Sequence, residues 1–313
     1  MVRIAHFSDI HITTPPWQVP WRRLACKRLV GWANLALNGR YAEFSDAARI
    51  TAACIDDVLA QKPDHVVFTG DFTGTSLRPE FESAATLLAP LRDSGLPSTL
   101  IPGNHDVYVK TAVRERLFEE YFGYGLTTDL QGAEFPPAAR DLQPFPLVRF
   151  IGDEVALVAL RDVRPAAWHD SSGKVGATQL AALRALLESP KLRQRTIILA
   201  LHYGLRLSNG SPDTRRHGLR DAEEVAALAT TAGVALIIHG HLHHRFVRPL
   251  KAPPAPILAD AGSATWSRGA QAYHLYDVSG GTVRLEARRL DPREGRFVPW
   301  EEAPGAGVLC GTN

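Results

Sequence analysis

Cysteine is scarce and scattered: Cys26, Cys54 and Cys310 are its only three occurrences, and they form no C-x-x-C pair. That spacing argues against a disulfide framework or a structural zinc knuckle and suits a reducing cytosol. No apolar run reaches the length of about 18 residues needed to span a bilayer. Met1 leads directly into a strand-like pattern without a cleavable signal segment. A cytoplasmic protein is therefore expected, one that does not cross the membrane but could rest peripherally on its inner face. An excess of one charge sign is missing too. Lys and Arg number 35 against 33 Asp and Glu, a net charge of +2, so no overall field marks a nucleic-acid binder and no nucleic-acid partner is expected. There is neither an internal repeat nor a low-complexity tract.

What is present is a chain of 313 residues, 45% hydrophobic and 22% charged, long enough to bury a full core. Short runs rich in Val, Ile and Leu alternate with helical patterns, the signature of an α/β sheet covered by helices. Strands are predicted at Arg3–Ser8, His65–Thr69, Ser98–Ile101, Val155–Leu160, Thr196–Leu201 and Val234–His239. Helices are predicted near Asp46–Gln61, Glu80–Asp93, Thr111–Tyr121, Ala177–Glu188 and Asp221–Thr231. After Gly240 the pattern changes to consecutive strands, Phe246–Leu250, Pro256–Asp260, Ala272–Asp277 and Thr282–Arg289, which points to mixed sheets. Two stretches interrupt the alternation, Thr13–Phe44 and roughly Gly123–Pro146, and insertions of that length are usually functional or mobile. One domain over residues 1–298 is expected, with an insertion at about 13–44 and a loosely packed tail at 299–313.

Polar residues gather at the predicted strand ends. Asp9 and His11 follow the first strand, Gly70-Asp71 the second, and Gly103-Asn104-His105-Asp106 the third. His202 follows the fifth and Gly240-His241-Leu242-His243 the sixth. The carboxyl edge of an α/β sheet is where ligands bind, so residues far apart in sequence converge on one crevice. Two carboxylates, an amide oxygen and several imidazoles, with no thiolate, suit borderline divalent ions such as manganese, iron or zinc. Seven or more donors exceed what one ion needs, so two ions sharing a carboxylate is the economical arrangement. Two ions about 3.5–4 Å apart can hold both the attacking and the leaving oxygen of an in-line displacement.

The series Asp9-Ile10-His11, Gly70-Asp71, Gly103-Asn104-His105-Asp106, His202 and Gly240-His241-Leu242-His243 resembles the calcineurin-like metallophosphoesterase family, in that family's order. The resemblance implies a four-layer α/β sandwich with two central mixed β-sheets. It implies two divalent metal ions, manganese first with iron or zinc as alternatives, one held by Asp9, His11 and His243, the other by Asn104, His202 and His241, with Asp71 bridging. The reaction implied is hydrolysis of a phosphodiester or pyrophosphate by a hydroxide that the metals activate, with His105 stabilising the transition state or protonating the leaving oxygen. Asp106 either caps the following turn or orients His105. Asp260–Ser263 resembles the strand end that commonly follows the last histidine pair. One departure is Gly74, where the family often carries Asp or Asn three positions after the bridging Asp.

The first insertion narrows the substrate. Trp17–Ala42 holds Arg22, Arg23, Lys27, Arg28 and Arg40 with Trp17, Trp21 and Trp32, and no acid. On a helix, Arg23 and Lys27 share one stripe while Trp21, Leu29 and Trp32 fall opposite, which fits either an anionic membrane surface or a cap packed on the domain. This feature is similar to the UDP-2,3-diacylglucosamine hydrolases of lipid A biosynthesis, which implies a lipid-linked nucleotide pyrophosphate as substrate. A cyclic-nucleotide or general phosphodiesterase is the alternative, and a catalytically inactive scaffold the second. Arg215 and Arg216, with His217 and Arg220, form another basic cluster that could clamp a phosphate, although such runs are usually only solvated. His6 and His239 are expected in the core or supporting the site, His244 facing solvent, and His65, His169, His217 and His274 have no motif support.

Overall fold

The computed structural model describes residues 1–19, 28, 43–130, 145–165, 167–251 and 255–310. Its strands are β1 (Val2–Phe7), β2 (His65–Phe68), β3 (Ser98–Leu100), β4 (Leu147–Ile151), β5 (Val155–Ala159), β6 (Thr196–Ala200), β7 (Leu236–His239), β8 (Phe246–Pro249), β9 (Ile257–Asp260), β10 (Ala272–Ser279), β11 (Thr282–Asp291), β12 (Arg296–Pro299) and β13 (Gly307–Cys310). They form two sheets, ordered β12-β11-β10-β1-β2-β3 with β13 on β11, and β4-β5-β6-β7-β9-β8. Each is mixed. β1, β2 and β3 run parallel while β10 joins β1 antiparallel, and β5, β6, β7 and β9 run parallel between antiparallel edges.

The central strands read as unbroken apolar runs because both their faces are covered. Every residue of β2, β5 and β7 is buried. Ile4, Val67, Leu157, Ile198, Ile238 and Tyr276 meet between the sheets. The outer face of the first sheet is covered by α1 (Ala47–Ala60) and α2 (Arg78–Asp93), followed by α3 (Lys110–Arg114) and α4 (Leu117–Phe122). The outer face of the second carries α5 (Ala177–Leu187), the short α6 (Pro190–Arg193) and α7 (Ala222–Thr231). In α1 the buried Ile50, Cys54, Ile55 and Val58 recur at helical spacing, which is why this segment lies flat on the sheet. The result is helices, sheet, sheet, helices, the expected four layers.

Two departures from the sequence reading have physical causes. The helix expected at Thr111–Tyr121 is broken at Arg116, whose φ is 55°. On one continuous helix of 3.6 residues per turn Ala112 and Leu117 would point about 140° apart, and the break lets both be buried. β4 lies at the end of the Pro-rich stretch and was hidden by it; it pairs antiparallel with β5 and covers that edge. Near the C-terminus Gly307–Cys310 forms β13, which pairs antiparallel with the open edge of β11.

Candidate dinuclear metal centre

The carboxyl ends of β1, β2, β3, β6 and β7 converge at one edge of the sandwich, drawing on both sheets. The turns that follow them are unusual. Of the nine described non-glycine residues with positive φ, five are Asp9 (57°), His11 (47°), Asp71 (61°), His241 (72°) and His243 (60°). Each such conformation costs on the order of 1–3 kcal/mol and persists only where its surroundings enforce it. Here backbone pairs between neighbouring turns do so: Asp9 N donates to Gly70 O at 2.9 Å and His11 N to Asp71 O at 3.0 Å. Glycine is required where the turns touch. A Cβ on Gly103 would lie 2.1 Å from Asp71 Oδ1, and one on Gly240 would lie 2.2 Å from Asp9 Oδ2.

Two clusters of donors result. In the first, His11 Nε2 and His243 Nε2 lie 2.9 Å apart, His243 Nε2 is 3.2 Å from Asp9 Oδ1, and His11 Nε2 is 3.6 Å from it. Ligand atoms of Asp9, His11, Asp71 and His243 all fall within 4.8 Å of one another. In the second, Asn104 Oδ1 is 3.0 Å from both His202 Nε2 and His241 Nδ1. Asp71 joins them: its Oδ2 is 3.6 Å from His11 Nε2 and 3.5 Å from His202 Nε2. The donor set fits divalent ions. Asp9 Oδ1 is buried without a hydrogen bond, and His202 donates its Nδ1–H to the Thr69 carbonyl at 2.7 Å, which turns Nε2 inward.

The electrostatics agree with a cation site. Burial pushes the carboxyls of Asp9 and Asp71 up, but the surrounding imidazoles outweigh it and hold both below the usual range. Burial would lower His202, yet Asp71, Asp9 and Asp162 raise it to about 10. A proton is thus drawn to a place where a metal ion would compete for it. Burial keeps His11 and His241 neutral, the form that donates to a metal.

His105 leans over this centre, its ring 4.9 Å from that of His11. His105 Nδ1–H donates to the Gly74 carbonyl at 2.6 Å, and His105 N donates to Asp71 Oδ1 at 2.7 Å. The departure at Gly74 acquires a reason, since a Cβ there would meet Thr13 Oγ1 at 2.5 Å. Asp106 does neither of the two things expected of it. Its buried carboxylate accepts the N–H groups of Gly103 (2.8 Å), Asp71 (2.9 Å) and Thr73 (3.0 Å), tying the turn after β3 to the turn after β2. Burial and the charge of Asp71 push it up to about 7. Asp106→Ala would leave those donors buried without acceptors, at about 1–3 kcal/mol each. Thermal unfolding of the metal-free protein should therefore shift to lower temperature, with Asp106→Asn affected less; an unchanged midpoint for Asp106→Ala would contradict this.

Sequence reasoning missed one constellation. His217 lies in a loop with no motif, but its ring sits 4.4 Å from that of His241 and its Nδ1–H donates to Asp213 at 2.6 Å. Asp213, His217 and His241 offer ligand atoms within 4.8 Å of one another. The only available signal was the basic cluster around it. The side chains of Arg215 and Arg216 are exposed on this same loop, whose Arg216 carbonyl accepts from Ser171 N at 2.9 Å. Asp162 was also missed. It accepts the backbone N–H groups of His202 (3.2 Å) and Tyr203 (2.7 Å), and burial raises it to about 6. Arg23 and Lys27, with Trp21 and Trp32, lie outside the described residues.

A two-sheet α/β sandwich whose strand ends gather carboxylates, an amide and imidazoles defines a metal-dependent hydrolase. The chain belongs to the calcineurin-like phosphoesterase family, which matches residues 2–245. Its fold is similar to that of a dimetal phosphatase from Danio rerio, at 12% identity and a TM-score of 0.64, over 95% of this chain and 98% of that one. It is similar to the structure of PhoD, at 11% identity and a TM-score of 0.59, over 100% of this chain and 72% of that one. A purple acid phosphatase from yellow lupin seeds matches at 12% identity and a TM-score of 0.54, over 95% of this chain and 52% of its own. A search of curated proteins finds no match. Among the described residues no helix is long and apolar enough to cross a membrane.

Proposed function

We propose that the chain hydrolyses a lipid-linked nucleotide pyrophosphate, such as UDP-2,3-diacylglucosamine, at the inner membrane face. The observation that carries the hydrolytic part is Asp71 Oδ2, placed 3.6 Å from His11 and 3.5 Å from His202, between the two donor clusters. Asp9, His11 and His243 would hold one ion, Asn104, His202 and His241 the other, with Asp71 shared. When bound, two divalent ions, manganese first among them, neutralise phosphate oxygens and lower the pKa of water. The chain itself supplies the rest. His105 presents Nε2 toward the substrate because Nδ1 is committed to the Gly74 carbonyl, and there it can protonate the leaving oxygen.

Support for the lipid comes from the insertion. Phe44, at its end in the sequence, packs 4.8 Å from the His11 ring on one flank of the site. The loop of Arg215 and Arg216 adjoins the other flank through His217, where a nucleotide phosphate would be gripped. Trp21→Ala and Trp32→Ala combined with Arg23→Glu and Lys27→Glu should weaken binding to anionic vesicles. Each basic residue near such a surface contributes about 1 kcal/mol, so KM for the lipid substrate should rise by about tenfold or more. Hydrolysis of bis-p-nitrophenyl phosphate by the same variant should hardly change. Equal loss on both substrates would make the insertion a structural cap, and cyclic AMP preferred over the lipid with added manganese would favour a cyclic-nucleotide phosphodiesterase.

A further inference from the structure

We infer that Arg28 is a positioning residue for His105, acting through the loop Thr73–Leu77 and thereby linking the insertion to catalysis. The inference rests on the reading of His105 given above. Arg28 belongs to the insertion by sequence, yet it is only 4% exposed. Its Nε donates to the Thr75 carbonyl at 2.9 Å and its Nη2 to the Ser76 carbonyl at 2.7 Å. A guanidinium is costly to bury unless its donors are used, and a planar fork can serve two neighbouring carbonyls where a lysine ammonium cannot hold the same geometry.

The loop so held needs holding. Ser76 has φ 57°, a left-handed conformation that costs a non-glycine residue about 1–2 kcal/mol. Glu80, fully buried at the start of α2, takes the loop's donors, accepting from Thr75 N at 2.8 Å and Leu77 N at 3.1 Å. Arg28 takes the loop's acceptors. Between them the segment is fixed through both its N–H and its C=O groups.

His105 rests on this segment at three points. Its ring Nδ1–H donates to the Gly74 carbonyl at 2.6 Å. Its own carbonyl accepts from Ser76 Oγ at 2.6 Å and from Thr73 Oγ1 at 3.1 Å. Ser76 Oγ also accepts Tyr108 N at 2.8 Å, and the Tyr108 ring stacks on that of His105 with centroids 5.4 Å apart. A shift of Thr75 and Ser76 therefore moves the carbonyl that aims the ring. Asp71, which precedes this loop, is held by Asp106 and by the His105 N–H, not by Thr75 or Ser76, and the other donors follow β1, β3, β6 and β7, so the clusters should stay in place.

The test compares Arg28→Ala, Arg28→Lys, His105→Ala and the double variant Arg28→Ala/His105→Ala with the wild-type protein, all loaded with manganese. The probe is diphenyl phosphate, a diester too small to need the insertion, whose phenolate is a poor enough leaving group to need the proton. Arg28→Ala should lower kcat by about 10–100-fold, the range typical of residues that orient a site from outside it, with KM and bound metal little changed. Millimolar methylguanidinium should restore part of that kcat in Arg28→Ala, whereas Arg28→Lys should not recover it. Adding Arg28→Ala to His105→Ala should cause no further loss, because the two act as one unit. Wild-type kcat in Arg28→Ala, or the same fold-loss with and without His105, would overturn the inference. Should Arg28→Ala fail to fold, Arg28→Gln, which keeps one donor group, enters the same double-variant comparison. A wild-type rate in His105→Ala would instead overturn the role given to His105.

Discussion

Asp71→Ala is expected to lose most of its bound metal and at least about 10³ in kcat, since several kcal/mol of charge stabilisation by the ions goes with it at about 1.36 kcal/mol per decade. The reason is positional. Asp71 Oδ2 is shared by His11 and His202, while Oδ1 accepts the backbone N–H of His105 at 2.7 Å. Without the carboxylate, the two donor clusters lose the negative group placed between His11 and His202, and Asp9 alone is left to offset the cations. Both sheets should persist, because Asp71 sits in a turn after β2 and contributes nothing to the apolar layers. Asp71→Asn tests the charge separately from shape, since asparagine tolerates the left-handed φ of 61°. The readouts are metal per chain by mass spectrometry, kcat, and circular dichroism. A metal-stripped Asp71→Ala protein at full activity would remove the two-ion reading.

His105→Ala should lower kcat by about 10²–10⁴, the usual worth of a positioned acid or base, with metal content unchanged. His105 contacts the centre through its ring and its backbone N–H, and neither is among the inward-facing donors of Asp9, His11, Asn104, His202, His241 and His243. The loss should be greatest for alkoxide leaving groups and least for p-nitrophenolate, which departs without a proton. Loss of an ion together with activity would place His105 among the ligands, and a loss independent of the leaving group would confine it to charge stabilisation.

The most legible parts of the fold were those in which one residue pattern permits one local structure. β2, β5 and β7 are short apolar runs bounded by turn residues, Pro63-Asp64 and Gly70, Gly152-Asp153 and Asp162, and Gly233 and Gly240, and their alternation with α1, α2, α5 and α7 was readable from periodicity alone. β12 and β13 were not, because Arg296–Pro299 and Gly307–Cys310 are short and weakly patterned and become strands only by completing the open edge of β11. The helix break at Arg116 was hidden for a related reason. Local propensity favours continuing the helix, while the core needs Leu117, Phe118 and Phe122 all buried.

For the site, the order of the motifs was enough to foresee that Asp9, Asp71, Asn104, His202, His241 and His243 meet, since each directly follows a strand and strand ends share one edge. What each turn does once there depended on contacts distant in sequence. Gly74 is a glycine because Thr13 packs against it, and its carbonyl holds His105. Asp106 serves the backbone of Asp71 and Thr73, not the turn that follows it. Residue types and their spacing thus determined the chemistry, because donor atoms and strand ends are local properties of the chain. Only the tertiary structure decided that His217 reaches His241 and that Arg28 reaches Thr75 and Ser76, because which segments touch is set by how two sheets and their helices pack, and no local pattern around His217 or Arg28 carries that distance.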